Sequence, residues 1–153
     1  MIGREIVAFL DSGVAGLLGA TGPENEPCAV RDIAAHVPEI GRKVVVFVPR
    51  ERGAAAIAAL RSDPRVAVTF TRPTTHRTVQ MKGRVIAMRD AGESRKPVID
   101  AWYERISQEL ETVGLPRRIS GRWVRWPAVE LEVEVDAIFL QTPGPDAGSP
   151  LAQ

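Results

Sequence analysis

The stretch Val66–Val85 reads VAVTFTRPTTHRTVQMKGRV and consists of two alternating runs joined by a polar linker. In both runs an apolar side chain stands at every second position, which is the period of a β-strand with one buried face. These side chains are Val66, Val68 and Phe70 in the first run and Val79 and Met81 in the second. The stretch therefore predicts two antiparallel strands connected by a turn.

The linker between the two runs is unusually rich in cationic and hydroxyl side chains. These are Arg72, Thr74, Thr75, His76, Arg77 and Thr78. Hydrogen-bond donors in a fixed arrangement are suited to a bound anion, most simply a phosphate. The alternative interpretation is structural, because threonine hydroxyls also cap free backbone groups at the end of a hairpin.

The positive charges of the chain are concentrated around this stretch, although the formal net charge is only +1. Residues 42–89 contain eleven Lys or Arg and two Asp or Glu, whereas the remaining residues contain nine and seventeen. Such a segment is a solvated surface, a site for an anionic small molecule, or a basic face that meets the acidic part of a second subunit. Nucleic acid is not expected as a partner, since the stacking aromatic residues that single strands require are missing.

Composition excludes several other classes. A single cysteine rules out an internal disulfide, and two distant histidines leave no credible metal site. No apolar run approaches the roughly 20 residues of a membrane span, and the N-terminus lacks the apolar core of a signal peptide. We therefore expect a cytoplasmic protein that does not associate with membranes.

Periodicity predicts the remaining elements. The clearest is a strand over 129–140, where Val129, Leu131, Val133 and Val135 alternate with acidic residues. A long helix over 94–113 is indicated by apolar residues at intervals of three and four. Further strands are predicted over 14–21, 28–37 and 44–48, and shorter helices over 2–12 and 54–61. Together these elements favour a mainly β (α+β) fold, a six-stranded antiparallel β-barrel with two to three peripheral helices.

The order of these segments resembles that of the pyridoxamine 5′-phosphate oxidase-like proteins, which have a flavin-binding split-barrel fold. The resemblance covers about residues 5–145 and is carried by three segments, with a fourth that resembles one uncharacterised branch. The three are Phe47-Val48-Pro49 before a helix, Asp63–Phe70, and Arg72–Gly83; the fourth is Phe139–Pro145. The resemblance implies one FMN-binding domain over residues 1–145 and a C-terminal tail over 146–153. The tail is either a frayed terminus or part of a loop folded over a site.

The resemblance further implies a homodimer with FMN in a cleft shared by the two subunits. Carried over by position, Val48, Pro49, Arg50 and Arg52 would lie along the flavin. Thr75, His76, Arg77, Thr78 and Gln80 would line the cleft, and Arg31 would be a phosphate-binding arginine of the second strand. Gln80 faces away from Val79 and Met81, toward either solvent or this cleft.

The chain departs from the vitamin-making oxidases at their phosphate clamp. Their Ser-Arg-Lys run is replaced here by Gly53-Ala54-Ala55-Ala56, so Arg50 and Arg52 would have to supply those contacts. Their Arg-x-Val-Leu-Leu-Lys pattern is also absent, since this chain has Val30-Arg31-Asp32-Ile33-Ala34-Ala35-His36. Oxidation of pyridoxamine 5′-phosphate is therefore not expected.

Two functions remain open at this point. The first is an FMN-dependent oxidoreductase acting on an unidentified small molecule, which needs no protein nucleophile because the flavin itself carries the hydride. The second is a split-barrel protein that binds flavin, deazaflavin or haem without turnover. For haem, only His36 and His76 could serve as axial ligands.

Overall fold

The computed structural model describes residues 1–151, which form six strands and four α-helices. The strands are β1 (Ala15–Thr21), β2 (Pro27–His36), β3 (Lys43–Pro49), β4 (Arg65–Thr71), β5 (Thr78–Asp90) and β6 (Ala128–Leu140). The helices are α1 (Arg4–Leu10), α2 (Ala54–Ser62), α3 (Lys96–Thr112) and α4 (Arg117–Ser120). All six strands and the first three helices lie where the sequence predicts them, and α4 is an additional one-turn helix.

The six strands close into an antiparallel barrel in the order β1-β2-β3-β6-β5-β4. The predicted pair β4 and β5 is antiparallel, with Phe70 opposite Val79 and Val68 opposite Met81. All four of these side chains are fully buried, as the alternating pattern predicts. This confirms the six-stranded β-barrel, and the stretch Val66–Val85 forms one wall of it.

The apolar residues of β6 are buried as the alternation predicts, but one of its acidic residues is buried as well. Leu131 and Val133 are buried in the barrel, whereas Glu134 on the other face is exposed. Glu130 is only 2% exposed because Arg89 and Arg95 pair with its carboxylate. A buried carboxylate requires such partners, so the two arginines explain how Glu130 is accommodated in this strand.

Strand β2 bends in its middle and belongs to both sides of the barrel. Residues 27–33 pair with β1, and residues 34–36 pair with β3. Within the first segment, Asp32 is an extra residue between Arg31 and Ile33, which pair with Leu17 and Gly16, and it adopts a left-handed conformation with φ of 60°. Aspartate is among the few non-glycine residues that tolerate this conformation. The strand therefore bulges and bends at Asp32, just before its partner changes from β1 to β3.

Three helices cover parts of the barrel with the apolar faces that the sequence predicts. In α3, Trp102 is buried and packs edge-on against Phe70 of β4, with 5.7 Å between ring centroids. Helix α1 buries Phe9 and Leu10, and α2 buries Ile57 and Leu60. No helix in residues 1–151 is long and apolar enough to cross a membrane.

The tail folds back on the end of β6. The Gly148 N–H donates to the Leu140 carbonyl at 2.7 Å, and the Leu151 N–H donates to the Ile138 carbonyl at 2.8 Å. The backbone N–H of Thr78 also donates to the Thr142 hydroxyl at 3.0 Å. The segment up to Leu151 is therefore attached to the barrel, and the last two residues of the predicted tail lie outside the described residues.

Candidate functional site

The donor-rich turn between β4 and β5 contacts carboxylates of the chain itself. Arg72 and Thr74 bind the two oxygens of Glu109 on α3, at 2.8 and 2.6 Å. Arg77 donates to Glu5 on α1 at 2.5 Å, and its guanidinium lies over the Phe9 ring. These ion pairs attach the turn to two helices, and the Arg72 hydrogen bond holds the pKa of Glu109 below its usual value.

The threonines and the histidine of the turn have structural contacts. The Thr75 hydroxyl accepts a hydrogen bond from the Arg77 N–H at 3.3 Å, and the Thr78 hydroxyl donates to the His76 carbonyl at 3.0 Å. His76 is exposed and adopts a left-handed conformation with φ of 57°. Thr78 is buried. The capping interpretation therefore describes the contacts of Thr75 and Thr78, and a cofactor contact by Thr75, His76, Arg77 or Thr78 stays a prediction.

A groove lies at the bend of β2, on the outer face of the barrel. We call it the Arg31 groove; it has a volume of about 550 Å³. It is lined by Ala15, Gly16, Leu17, Arg31, Asp32, Thr69, Thr71 and Pro73. This volume is typical of small-molecule sites, and the lining combines apolar surface with a guanidinium and hydroxyls.

Arg31 is exposed in this groove and forms no ion pair with any Asp or Glu of residues 1–151. A guanidinium presents a planar fork of donors that matches the oxygens of a phosphate or carboxylate. Because its donors are not occupied by an internal carboxylate, Arg31 is the cation of the groove that can receive an anion directly.

Asp32 stands next to Arg31 and is paired with Arg52, at 2.9 Å between carboxylate and guanidinium. The Asp32 carbonyl oxygen accepts a hydrogen bond from the buried hydroxyl of Tyr103 on α3. Burial raises the pKa of Tyr103 well above its ordinary value, so this phenol remains a neutral donor. Helix α3 and the entrance of α2 therefore hold Asp32 from two sides.

The other residues predicted from β3 and its following turn do not line the Arg31 groove. Val48 and Pro49 are buried in the barrel wall. Arg50 is exposed and pairs with Asp90 at the end of β5, at 2.7 Å. Arg52 is therefore linked to the Arg31 groove by its ion pair with Asp32, whereas Arg50 is paired with β5.

Gln80 borders the Arg31 groove through the strand register. Arg31 is opposite Leu17, Leu17 is opposite Thr69, and Thr69 is opposite Gln80. The Gln80 side-chain amide donates to the Thr69 hydroxyl at 3.0 Å. Residues directly opposite one another on neighbouring strands project from the same face. Gln80 therefore faces outward, on the same face as the groove.

A second, larger groove of about 900 Å³ adjoins the first on the outer barrel face. Its lining includes the small residues Gly19, Ala29 and Ala67 and the cations Lys82 and Arg84. Ala67 lies two residues from Thr69 along β4, so the two grooves follow the same strands. Both grooves therefore lie on the outer face of β2, β1, β4 and β5.

Of the residues that line the Arg31 groove, the sequence predicted only Arg31; those it missed include Asp32 and Thr69, and it also missed the supporting residue Tyr103. Asp32 carried a detectable signal, since an aspartate interrupts the strand pattern between Arg31 and Ile33, and aspartate is depleted in strands. Tyr103 carried none, because its position on the α3 stripe indicates only core packing.

The groove holds no arrangement of groups that by itself indicates acid–base or metal catalysis. Within residues 1–151 no three or more His, Cys, Asp or Glu side chains are grouped to hold a metal ion. Asp32 is the one carboxylate of the lining, and Arg52 occupies it. The described residues can therefore bind and orient an anionic ligand that has an apolar part.

No family model and no curated protein sequence matches this chain. Solved structures do match. HupZ from Group A Streptococcus has a TM-score of 0.58 and 13% identity, covering 97% of this chain and 100% of that one. A protein from Clostridium acetobutylicum related to general stress protein 26, of the pyridoxinephosphate oxidase family, has a TM-score of 0.53 and 8% identity, covering 91% and 87%. An F420 reductase has a TM-score of 0.51 and 15% identity, covering 86% and 93%.

At these identities the matches establish the fold but say nothing of the function of this chain. The matched regions span nearly the whole barrel and its helices on both sides of each comparison. The architecture expected from the resemblance is thereby confirmed. The chain has the split-barrel fold of the pyridoxamine 5′-phosphate oxidase-like proteins.

Proposed function

We propose that the chain is a cytoplasmic, FMN-binding flavoprotein, a homodimeric oxidoreductase that acts on an unidentified small molecule. The observation that carries this proposal is Arg31, an exposed guanidinium without an ion-pair partner in the described chain, at the edge of a groove of about 550 Å³. The fold shared with proteins of the pyridoxinephosphate oxidase family supports the choice of a flavin.

The residues of the Arg31 groove fit the parts of FMN. Arg31 would bind the phosphate, and the apolar surfaces of Leu17 and Pro73 would contact the ring. The Thr69 hydroxyl and the Gln80 amide, already joined to each other, would face the polar edge of the ring. When bound, FMN supplies the hydride chemistry, so the protein needs only to bind, orient and exclude water.

A second copy of the chain would complete the cleft. The outer face of β1, β4 and β5 that carries the grooves is open to solvent, and Leu17 on that face is 40% exposed. A homodimer that covers this face would bury such apolar surface and shield a bound ring from water. Light scattering on the purified protein tests this part, and a monomeric mass would contradict it.

The first experiment is the visible absorption spectrum of the protein purified without added cofactor, followed by titration with FMN. We expect the double band of a flavin or saturable binding of added FMN. Arg31→Ala should then weaken FMN binding about tenfold to a hundredfold, because charge-assisted hydrogen bonds to the phosphate are lost. Arg61→Ala, an exposed arginine of α2, is the matched control and should have no effect.

The same titration ranks the other predicted arginines. Arg52 and Arg77 are already paired with Asp32 and Glu5, so their replacement should weaken FMN binding less than that of Arg31. A colourless protein that does not bind added FMN would contradict the proposal. Equal affinities for wild type and Arg31→Ala would exclude Arg31 as the phosphate contact.

The second candidate is a protein that binds a flavin or deazaflavin without turnover. It is favoured by the absence of an unoccupied acid or base among the residues that line the Arg31 groove. The F420 reductase among the similar structures supports a deazaflavin as the ligand in this case. Haem is less well supported, since neither His36 nor His76 lines the Arg31 groove or the adjoining one. Reduction of the bound cofactor by a nicotinamide donor, followed by reoxidation by a substrate, would favour the enzyme.

A further inference from the structure

Asp32 places a negative charge in the groove where an anionic ligand is expected. Its carboxylate is 19% exposed and pairs with the Arg52 guanidinium at 2.9 Å. Both Asp32 and Arg31 line the same groove. A ligand phosphate that approached Arg52 would therefore have to displace this carboxylate and would be repelled by its charge.

The position of Asp32 is held by the backbone. Its φ of 60° is a left-handed conformation, which costs free energy for a residue with a side chain and persists only where neighbouring structure enforces it. The Tyr103 hydroxyl donates to its carbonyl oxygen, and the residues on either side, Arg31 and Ile33, are both paired with β1. The backbone of Asp32 is consequently held in place, with the carboxylate paired with Arg52.

We propose, on the basis of the flavin-binding function above, that Asp32 is a specificity-determining residue of the Arg31 groove. By occupying Arg52, it leaves one guanidinium for the ligand, so the groove accepts a single phosphate at Arg31 and disfavours ligands with more negative charge. Its remaining carboxylate lone pairs accept hydrogen bonds from a neutral donor group of the ligand. The groove thus selects a monophosphate that carries uncharged hydrogen-bond donors next to the phosphate.

The test is the affinity of Asp32→Asn for FMN and for riboflavin, measured by quenching of flavin fluorescence. Asparagine tolerates the left-handed conformation and removes only the charge. We expect the release of Arg52 to tighten FMN binding about tenfold or more. Riboflavin, which lacks the phosphate, should bind with unchanged or weaker affinity.

Two further variants make the test specific. Asp32→Asn combined with Arg52→Ala should lose the gain in FMN affinity. Glu132→Gln, which frees Lys43 from an ion pair on the opposite side of the barrel, is the matched control and should show no gain. Asp32→Gly, which suits the left-handed backbone without a side chain, should reproduce the gain if Asp32→Asn folds poorly.

Binding of inorganic pyrophosphate tests the role of Asp32 independently of the proposed flavin binding. By calorimetry, Asp32→Asn should bind pyrophosphate at least about tenfold more tightly than wild type, whether or not either protein binds flavin. That gain without flavin binding would support the role of Asp32 and contradict the proposed function. Unchanged or weaker binding of both FMN and pyrophosphate by Asp32→Asn, or a gain that persists without Arg52, would overturn the role of Asp32.

Discussion

The Tyr103 hydroxyl on α3 donates a hydrogen bond to the backbone oxygen of Asp32, the left-handed residue at the bend of β2. The two residues are 71 positions apart in the chain. Because Asp32 is an extra residue between Arg31 and Ile33, which both pair with β1, it has no partner in the regular ladder. Tyr103 supplies the donor that the ladder does not, and so connects the long helix to the candidate site.

Tyr103→Phe removes that donor and leaves the partly buried carbonyl oxygen of Asp32 without it. We expect the free energy of unfolding to fall by about 1–3 kcal/mol, measured by urea denaturation. Thr112→Val removes an exposed hydroxyl bond at the end of α3 and should change stability by less than about 0.5 kcal/mol. Equal effects of the two variants would show that the Tyr103 hydrogen bond does not support the bend.

Glu109 anchors the β4–β5 turn and should contribute to acid unfolding. The Arg72 hydrogen bond lowers the pKa of Glu109 below its ordinary value of 4.5. A carboxyl whose pKa is lowered by folding stabilises the protein above its unfolded pKa, and this stabilisation is lost as the pH falls through the folded pKa. Stability measured against pH should therefore decline less steeply below about pH 4.5 in Glu109→Gln than in wild type.

The control for this pH series is Glu24→Gln, because Glu24 is exposed in the β1–β2 connection and forms no ion pair in residues 1–151. It should leave the acid limb of the stability curve unchanged. If Glu109→Gln and Glu24→Gln give the same curve as wild type, the turn is not anchored through the Glu109 charge.

Gly83 permits the close pairing of β5 and β6. A Cβ atom at this position would lie 2.0 Å from the Glu134 carbonyl oxygen, which is backbone and can yield only if the strands shift. We expect Gly83→Ala to destabilise the protein by about 3 kcal/mol or more, measured by chemical denaturation. Gly92→Ala, where the nearest atom to the new Cβ is 3.8 Å away, should be nearly neutral. A neutral Gly83→Ala would contradict the register of β5 and β6.

Replacing Glu130 and replacing its two arginine partners should have unequal effects on stability. Glu130 is 2% exposed, whereas the side chains of Arg89 and Arg95 are 51% and 36% exposed. Removing both arginines leaves a buried charge without a partner and should cost about 3–5 kcal/mol in thermal or chemical unfolding. Glu130→Gln leaves only solvated arginines and should cost clearly less. The reverse order would mean that solvent reaches Glu130.

The sequence predicts the barrel well because its strands have one buried face. Val133 and Val135 alternate with acidic residues, and the structure buries the apolar set as expected. Helix α4 was missed, since its four residues are too few for a periodic pattern. The exception inside β6 is Glu130, whose burial depends on arginines 41 and 35 positions away in the chain. No local pattern can indicate such partners.

The candidate site was predicted only in part, for the same reason. Arg31 and Gln80 lie on one outward face, which their strand positions indicate. The charged groups of the β4–β5 turn predicted a bound anion. In the structure, however, Arg72 and Arg77 pair with Glu109 and Glu5 of distant helices. A sequence shows which side chains can bind an anion, but it does not show which of them pair with a carboxylate of the same chain in the fold.

Strand β2 has two partners, because residues 27–33 lie along β1 and residues 34–36 pair with β3. Side chains in a strand alternate between its faces, so an insertion or deletion of one residue reverses every direction on one side of the change. Position 32 of β2 is the exception, because Arg31 and Ile33 pair with the neighbouring residues Leu17 and Gly16 and already project from opposite faces. Losing Asp32 would keep Arg31 outward and Ile33 inward and would remove the carboxylate and the carbonyl oxygen that Arg52 and Tyr103 bind, whereas losing any other residue of β2 would reverse the faces of one part of the strand.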